Sequence, residues 1–461
     1  MMHKPFYTAT QNACKNCTPL GAALAFSGIE KAIPLLHGSQ GCSTYMRRYL
    51  ISHFKEPVDI ASSNFSEETA IFGGGANLKL AIENIEKQYA PTMIGIATTC
   101  LSETIGDDVP MILESLSKTA GKAALVHVST PSYTGTHVDG FHQAVKAVVD
   151  RFNPVSNKKQ YKPKKKQTVN LFPGMLSNED IRHLKEIFHD LDTRVIILPD
   201  YSERLEGPSW VEYQAIQDGG TPISWIEKMN LSAFSLEFGN VLENQVDQKG
   251  LTSAGSLLET RFNVPCIRAG LPIGVKATDT LFQHLEYITG KPLPDKYSSQ
   301  KGRLIDAYVD GNKYVSQRKA VLYGEEDFVV GMAGFLGEVG IIPVLCASGG
   351  KSSFFEDALR SVLPENIFDQ VRVHENMDFA RMEERARFLK PDLVIGNSKG
   401  YAMARRLKIP LVRVGFPIHD RVGGTRILHI GYKGALHLFD TIINALLHMQ
   451  QDSSQFGYSY M

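Results

Sequence analysis

The chain has 461 residues, of which 43% are hydrophobic and 21% are charged, a balance typical of a folded protein with a sizeable core. Its 49 basic and 49 acidic residues give a formal net charge of zero, which argues against a general affinity for nucleic acid or an anionic membrane. No apolar run approaches the roughly 18 residues of a membrane span, and residues 1–7 lack the apolar stretch of a secretion signal, so we expect a cytoplasmic protein.

Short apolar runs alternate with amphipathic segments along most of the chain. In chain order, the predicted strands are residues 93–99, 124–129, 168–172, 195–198, 233–237, 265–268, 319–323, 342–345, 371–374, 393–395 and 411–414. The predicted helices between them include residues 77–88, 180–190, 327–336 and 377–389. Because the strands are continuously apolar, they are typical of parallel sheets that are covered on both faces. The pattern predicts an α/β, doubly wound fold.

The length also bears on the number of domains. At roughly 150 residues per domain, the chain should contain about three. The clearest boundary is a lysine-rich stretch with one proline over residues 157–167, which we interpret as a solvated linker. A second break lies near residues 290–302, so we predict α/β domains over residues 1–160, 167–295 and 300–461. No aromatic-rich basic surface accompanies the lysines, and we expect no nucleic-acid partner.

Three cysteines and one serine lie in tight turns that contain glycine or proline: Cys17, Cys42, Cys100 and Ser132. Thiolates presented from such turns are the ligands that iron–sulfur clusters require, and small neighbours let the backbone approach a bulky inorganic core. Cys100 and Ser132 also follow consecutive predicted strands, which should bring them to one edge of a sheet. These residues are therefore the predicted metal site, although Ser132 alone also suits an ordinary turn.

The remaining cysteines carry less information. Six cysteines in 461 residues are too few for a disulfide scaffold. Cys266 and Cys346 lie in or beside apolar runs, and we expect them to be small buried hydrophobic residues. Cys14 forms a Cys-x-x-Cys pair with Cys17, a spacing that also suits a redox dithiol or half of a zinc site, and we assign it no role.

Two further segments have alternative interpretations. Tyr45 and two arginines follow Cys42 on a predicted helix, where the arginines would balance the charge of a cluster, bind a partner carboxylate or simply face solvent. The segment Gly349-Gly-Lys-Ser352 resembles part of a P-loop, but Leu345 occupies the position of the first glycine. We therefore expect no nucleotide site, and any use of ATP would need another protein.

A set of short segments resembles one protein family over residues 12–447. The segments are Cys17-Thr-Pro-Leu-Gly-Ala, His37-Gly-Ser-Gln-Gly-Cys42, His53-Phe-Lys-Glu-Pro, Thr98-Thr-Cys100, Thr130-Pro-Ser132, Ile395-Gly-Asn-Ser and Arg413-Val-Gly-Phe-Pro. On these segments the chain resembles the β-type subunits of nitrogenase component 1. The resemblance implies three Rossmann-like domains that carry metal–sulfur clusters.

The resemblance also implies a cofactor, partners and site residues. Cys17, Cys42, Cys100 and Ser132 match the four β-side positions of the family's cluster site, and Tyr45 matches a tyrosine near the electron path. The implied cofactor is an iron–sulfur cluster, either a [4Fe-4S] cluster or an [8Fe-7S] P-cluster, shared with an α-type subunit. The implied assembly is an α₂β₂ heterotetramer that receives electrons from an ATP-dependent iron protein.

The family contains two roles for such a subunit. One is a scaffold on which the iron–molybdenum cofactor is assembled, and the other is the β subunit of the catalytic reductase, which carries half of a P-cluster. The complete cysteine and serine set matches the reductase. The segments that resemble the scaffold are Pro19-Leu-Gly-Ala-Ala-Leu-Ala-Phe26, Leu198-Pro-Asp200 with Gly219-Gly220, Gly396-Asn-Ser with Ala404-Arg-Arg-Leu, Arg421-Val-Gly-Gly424 and Gly431-Tyr-Lys-Gly434. We expect the scaffold role, with the catalytic reductase as the alternative.

Overall fold

The structure is a computed structural model that describes residues 12–117, 122–155, 168–209 and 211–455. Within these ranges the strands form three sheets, of four, four and five strands. Every pair of neighbouring strands in these sheets is parallel. The predicted α/β class, with parallel sheets flanked by helices, is therefore confirmed.

The sheets follow one another along the chain. The first sheet has the order β2-β1-β3-β4 and consists of β1 (Ala32–His37), β2 (Ala61–Ser62), β3 (Met93–Thr98) and β4 (Ala124–Val128). The second has the order β6-β5-β7-β8 and consists of β5 (Thr168–Phe172), β6 (Arg194–Ile197), β7 (Phe234–Phe238) and β8 (Cys266–Ala269). The third has the order β11-β10-β9-β12-β13 and consists of β9 (Lys319–Gly324), β10 (Ile342–Ser348), β11 (Arg372–His374), β12 (Leu393–Gly396) and β13 (Leu411–Arg413).

Helices connect the strands and cover the sheets. In chain order, α1 to α19 are Thr18–Ser27, Gln40–Phe54, Glu67–Phe72, Gly75–Tyr89, Cys100–Ile105, Val109–Ser117, His137–Phe152, Asn178–Asp190, Ile223–Ile226, Asn240–Lys249, Ala254–Phe262, Val275–Thr289, Asp295–Val315, Glu326–Glu338, Phe355–Val362, Glu365–Phe368, Phe379–Leu389, Tyr401–Leu407 and Gly431–Ser453. Short 3₁₀ turns cover Met229–Leu231, Ser398–Gly400 and Gly424–Arg426. None of these helices is both long and apolar enough to cross a lipid bilayer.

Every predicted strand is present, and the largest error is at β10, which continues to Ser348. The sequence pattern missed β1 and β2. β1 contains Pro34, and a proline inside an apolar run argues against a central strand because it has no backbone N–H. β2 pairs with β1 only at Leu35 and Leu36, so the proline precedes the ladder with that neighbour.

The three sheets share one hydrophobic core. A continuous cluster of buried side chains includes Leu36 from the first sheet, Leu236 from the second and Leu322 from the third. The strands of each sheet fall within one predicted domain range, and the domain boundaries themselves stay predictions. The proposed linker at 157–167 lies outside the described residues.

Two glycines fix the position of α1 against α7. All residues of α1 are buried. A Cβ added to Gly21 would overlap the carbonyl oxygen of His137, and a Cβ added to Gly140 would overlap the carbonyl oxygen of Thr18. The two helix backbones are therefore in direct contact at both points. Because α1 begins directly after Cys17, this contact determines where Cys17 lies.

Replacing Gly21 with alanine should destabilise the protein. The added methyl group meets backbone atoms that cannot rotate away, and such overpacking typically costs about 1–3 kcal/mol. We expect the free energy of unfolding of Gly21→Ala, measured by chemical denaturation, to fall by at least that much, or the chain not to fold.

Gly302 provides the matched control. It lies within α13, and nothing lies within 4 Å of an added Cβ. Gly302→Ala should raise the free energy of unfolding by roughly 0.5–1 kcal/mol, because alanine loses less conformational entropy in a helix. Equal stability of the two variants would contradict the close contact between α1 and α7.

Candidate metal centre

Three of the four predicted ligands follow neighbouring strands of the first sheet. β1 and β3 end side by side, with His37 paired to Thr98, and β4 ends next to β3. Cys42 lies in the first turn of α2 after β1, Cys100 begins α5 after β3, and Ser132 lies in the loop after β4. The carboxyl ends of parallel strands thus bring them to one edge of the sheet, as the sequence predicted for Cys100 and Ser132.

The turn before Cys100 packs directly against the turn before Cys42. Thr99 caps α5, and its backbone N–H donates to the hydroxyl of Ser102 at 3.0 Å. The Thr99 hydroxyl donates to the carbonyl of His37 at 3.1 Å. A Cβ at Gly38 would overlap the Thr99 side chain, so only glycine allows this approach of the two turns.

Cys17 lies at the same edge although it does not follow a strand of this sheet. It is the residue before α1, and the backbone N–H of Thr18 donates to the Ser132 hydroxyl at 3.2 Å. The backbone N–H of Ser132 in turn donates to the Cys100 sulfur at 3.2 Å. Ser132 therefore joins the segment of Cys17 to the thiol of Cys100. The first contact uses the Ser132 side chain, whereas the second uses its backbone N–H, which any residue except proline could supply.

Residues 13–16, the arm that precedes Cys17, are bound to loops of the third sheet. The backbone N–H of Cys14 donates to Met377 at 3.0 Å, and its carbonyl accepts from Gly349 at 3.2 Å. The Cys14 side chain is buried, and burial raises the pKa of its thiol to about 12. Cys14 is thus a neutral packing residue at ordinary pH. The backbone N–H of Gly349 thus bonds to this arm.

The six cysteines separate into two groups by exposure. Cys17 is exposed, and Cys42 and Cys100 are half-buried, all three as free thiols. Cys346 is fully buried, as expected, and burial raises the pKa of its thiol. Cys266 is only half-buried, although burial raises its thiol pKa as well. Exposure therefore separates Cys17, Cys42 and Cys100 from Cys14 and Cys346 but not from Cys266, which lies in β8 of the second sheet.

The chemistry of these donors fits an iron–sulfur cluster, whose iron atoms are held mainly by cysteine thiolates. Within the described ranges, no group of three or more His, Cys, Asp or Glu residues could hold one metal ion. The ligands of an iron–sulfur cluster bind different iron atoms and need not converge on one point. Three accessible thiols and the Ser132 hydroxyl, held around one sheet edge, fit part of such a cluster.

Tyr45 lies beside this group at the protein surface. Its side chain is 52% exposed, and its hydroxyl donates to the hydroxyl of Tyr49 at 3.0 Å, one helical turn away. The pKa of Tyr49 is raised to about 12, mainly by burial and by the bond with Tyr45, and negative charge on Cys17 adds to the rise. Tyr45 and Tyr49 therefore form a hydrogen-bonded pair on α2, the helix that carries Cys42.

Two residues near the site were not predicted from the sequence. Glu103 accepts a hydrogen bond from Ser129 at 2.6 Å and another from Thr98, so it ties α5 to the ends of β3 and β4. Lys399, from the third sheet, donates to two carbonyls of the arm that precedes Cys17. Glu103 is only three residues from Cys100, and this closeness in the sequence could have identified it as a candidate. Lys399 is 382 residues from Cys17, so nothing in the sequence indicates that it lies near the site.

Comparison with known proteins finds similarity along almost the whole chain. The model of the family described as "Nitrogenase component 1 type Oxidoreductase" matches residues 17–447. The nitrogenase molybdenum-iron protein beta chain of Clostridium pasteurianum is 35% identical over 440 residues, which cover 95% of this chain and 93% of that protein. The corresponding chain of Methanococcus maripaludis is 34% identical over 454 residues and 95% of each protein. A solved structure named "Nitrogenase Cp1 at pH 6.5" superposes with a TM-score of 0.92 at 33% identity, over 100% of this chain and 98% of that chain.

The exposure of the cysteines predicts their reactivity in the folded, metal-free chain. At pH 8, iodoacetamide should modify Cys17 rapidly and leave Cys14 and Cys346 unmodified until the protein is denatured. The reason is that thiolate is the reactive form, and burial keeps both of the latter thiols protonated. Mass spectrometry of the digested protein gives the rate for each cysteine. Modification of Cys14 as fast as Cys17 would contradict the described geometry of the arm.

Proposed function

Because the chain belongs to the nitrogenase component 1 family, we propose that it holds part of an iron–sulfur cluster at an interface with an α-type subunit. The observation that carries this proposal is the pair of Ser132 contacts, which join the Cys17 segment to the Cys100 sulfur. Cys42 follows β1, the strand that lies beside β3. Residues from four separate stretches of the chain therefore lie at one edge of the first sheet, and three of them carry soft sulfur donors.

The number of thiols supports an obligatory partner. Three cysteines cannot complete the four ligands of a cubane, and a larger cluster needs more. The missing thiolates would come from the α-type subunit in an α₂β₂ heterotetramer. Cys17 and Tyr45 are exposed, and Cys42 and Cys100 are partly accessible, so a second chain can approach them without rearrangement of the core.

Each residue has a definite role in this proposal. Cys17, Cys42 and Cys100 bind iron as thiolates, and the Ser132 hydroxyl is an additional oxygen ligand. The backbone N–H of Ser132 orients the Cys100 sulfur and would stabilise its negative charge. The bound cluster, of four or eight irons, would relay electrons that an ATP-dependent iron protein delivers. Tyr45 lies at the surface beside this path.

Two biological roles remain for such a subunit. We propose the scaffold for assembly of the iron–molybdenum cofactor, on the sequence segments that resemble scaffold subunits. The second candidate is the β subunit of a catalytic reductase with a P-cluster. The complete set of three cysteines and Ser132 favours it, and so does the description of similar proteins as molybdenum-iron protein beta chains.

Removing one proposed ligand should reduce the iron content. The Cys42→Ala variant, purified without oxygen together with its α-type partner, should lose at least half of the iron bound per complex, measured by elemental analysis. Cys266→Ala is the control, because this half-buried cysteine lies in the second sheet and should leave the iron content unchanged. Full iron content in Cys42→Ala would remove Cys42 from the ligand set.

An activity assay distinguishes the two roles. The purified complex, supplied with iron protein, ATP and reductant, should not reduce acetylene if it is a scaffold, and should instead donate a cofactor to a cofactor-free reductase. The same preparation must first show bound iron, so that inactivity cannot arise from cluster loss. Sustained ethylene formation would reject the scaffold role and establish the reductase.

A further inference from the structure

We infer that Lys399 is a positioning residue for the candidate metal centre, which holds the segment of Cys17 and places a positive charge beside it. The inference rests on the proposed function, because it concerns the proposed cluster. Lys399 follows a strand of the third sheet, which carries none of the four predicted ligands, and it contacts the segment of Cys17 at the edge of the first sheet. Three observations support it.

The first observation is the rigid attachment of Lys399. It lies in the 3₁₀ turn Ser398–Gly400, directly after β12. The side chain of Asn397 accepts from the Lys399 backbone N–H at 3.1 Å and donates to Phe416 at 3.0 Å. Gly400 donates to the hydroxyl of Tyr323 at 3.2 Å. The backbone that carries Lys399 is therefore fixed within the third sheet.

The second observation is what the ammonium group binds. Its Nζ donates to the carbonyl of Ala13 at 2.7 Å and to the carbonyl of Lys15 at 3.1 Å. These carbonyls belong to the arm that ends at Cys17, so Lys399 holds the arm immediately before the ligand. The next residue, Asn16, is held by His137, which donates to its carbonyl at 3.1 Å.

The third observation is the charge around Lys399. Both hydrogen bonds of its Nζ go to neutral carbonyls, and within the described ranges it forms no ion pair with a carboxylate. Burial lowers the pKa of Lys399, whereas negative charge on Cys14 or Cys17 would raise it. Cys14 is a buried neutral thiol, so Cys17 is the partner that becomes anionic when it binds metal.

A fixed cation beside a cluster ligand has a predictable effect. Adding an electron increases the negative charge of the cluster and its thiolates, and a nearby positive charge stabilises that state. In a partly buried site, this interaction is much stronger than in water. Lys399 should therefore raise the reduction potential of the cluster, besides holding Cys17 in place.

The test compares three variants in the complete complex with the α-type partner. Lys399→Gln removes the charge, Lys399→Arg retains it, and Lys291→Gln is the matched control. Lys291 also donates to two backbone carbonyls, those of Leu191 and Asp192, both at 2.8 Å, although it pairs with the Asp192 carboxylate at 3.1 Å as well. These contacts lie in the loop between α8 and β6. Iron content and the midpoint potential of the cluster are measured for each, the latter by redox titration followed by electron paramagnetic resonance.

We expect Lys399→Gln to lower the reduction equilibrium constant of the cluster about tenfold, equivalent to about 59 mV for a one-electron couple. Lys399→Arg should restore the potential, and Lys291→Gln should not change it.

An unchanged potential in iron-loaded Lys399→Gln overturns the inference while the proposed function stands. If Lys399→Gln loses its iron, retention of iron by Lys399→Arg supports the role of the charge, and equal loss in both overturns it. Absence of iron from the unmodified complex would instead reject the proposed function.

Discussion

The candidate site depends on the alignment of three parallel strand ends in the first sheet. Because β1, β3 and β4 end side by side, the loops that follow them share one edge, and Cys42, Cys100 and Ser132 lie on those loops. Parallel strands must be joined by long crossovers, so residues far apart in the chain become neighbours in space. The contact between Gly38 and Thr99 then sets the spacing of two of these loops.

Cys17 needs a different support, because it does not follow a strand of this sheet. On its C-terminal side, the close contact of α1 with α7 at Gly21 and Gly140 sets the start of α1. On its N-terminal side, the arm is bound to the third sheet through Cys14 and Lys399. The position of Cys17 therefore depends on helix packing beside the first sheet and on contacts with the loops of the third sheet, and a change in either would move Cys17 relative to the other ligands.

Much of the fold follows from local patterns in the sequence. The apolar runs identified all strands of the second and third sheets, because strands of parallel sheets are rich in apolar residues when helices cover both faces. The prediction missed β1 because this strand contains Pro34, which has no backbone N–H. The proline is compatible with a central strand here because the pairing of β1 with β2 begins only at Leu35. β2 has two residues, too few to form a recognisable pattern.

The sequence by itself determined the α/β class and which cysteines lie in tight turns, since turn residues and apolar neighbours are properties of short segments. Only the tertiary structure decided that Ser132 contacts both the Cys17 segment and Cys100, that Cys14 is buried, and that Lys399 reaches the arm. Those facts depend on contacts between residues that lie apart in the chain: Ser132 is 32 positions from Cys100 and 114 positions from Thr18. Such contacts are created when sheets and helices pack, and no pattern within a short segment encodes them.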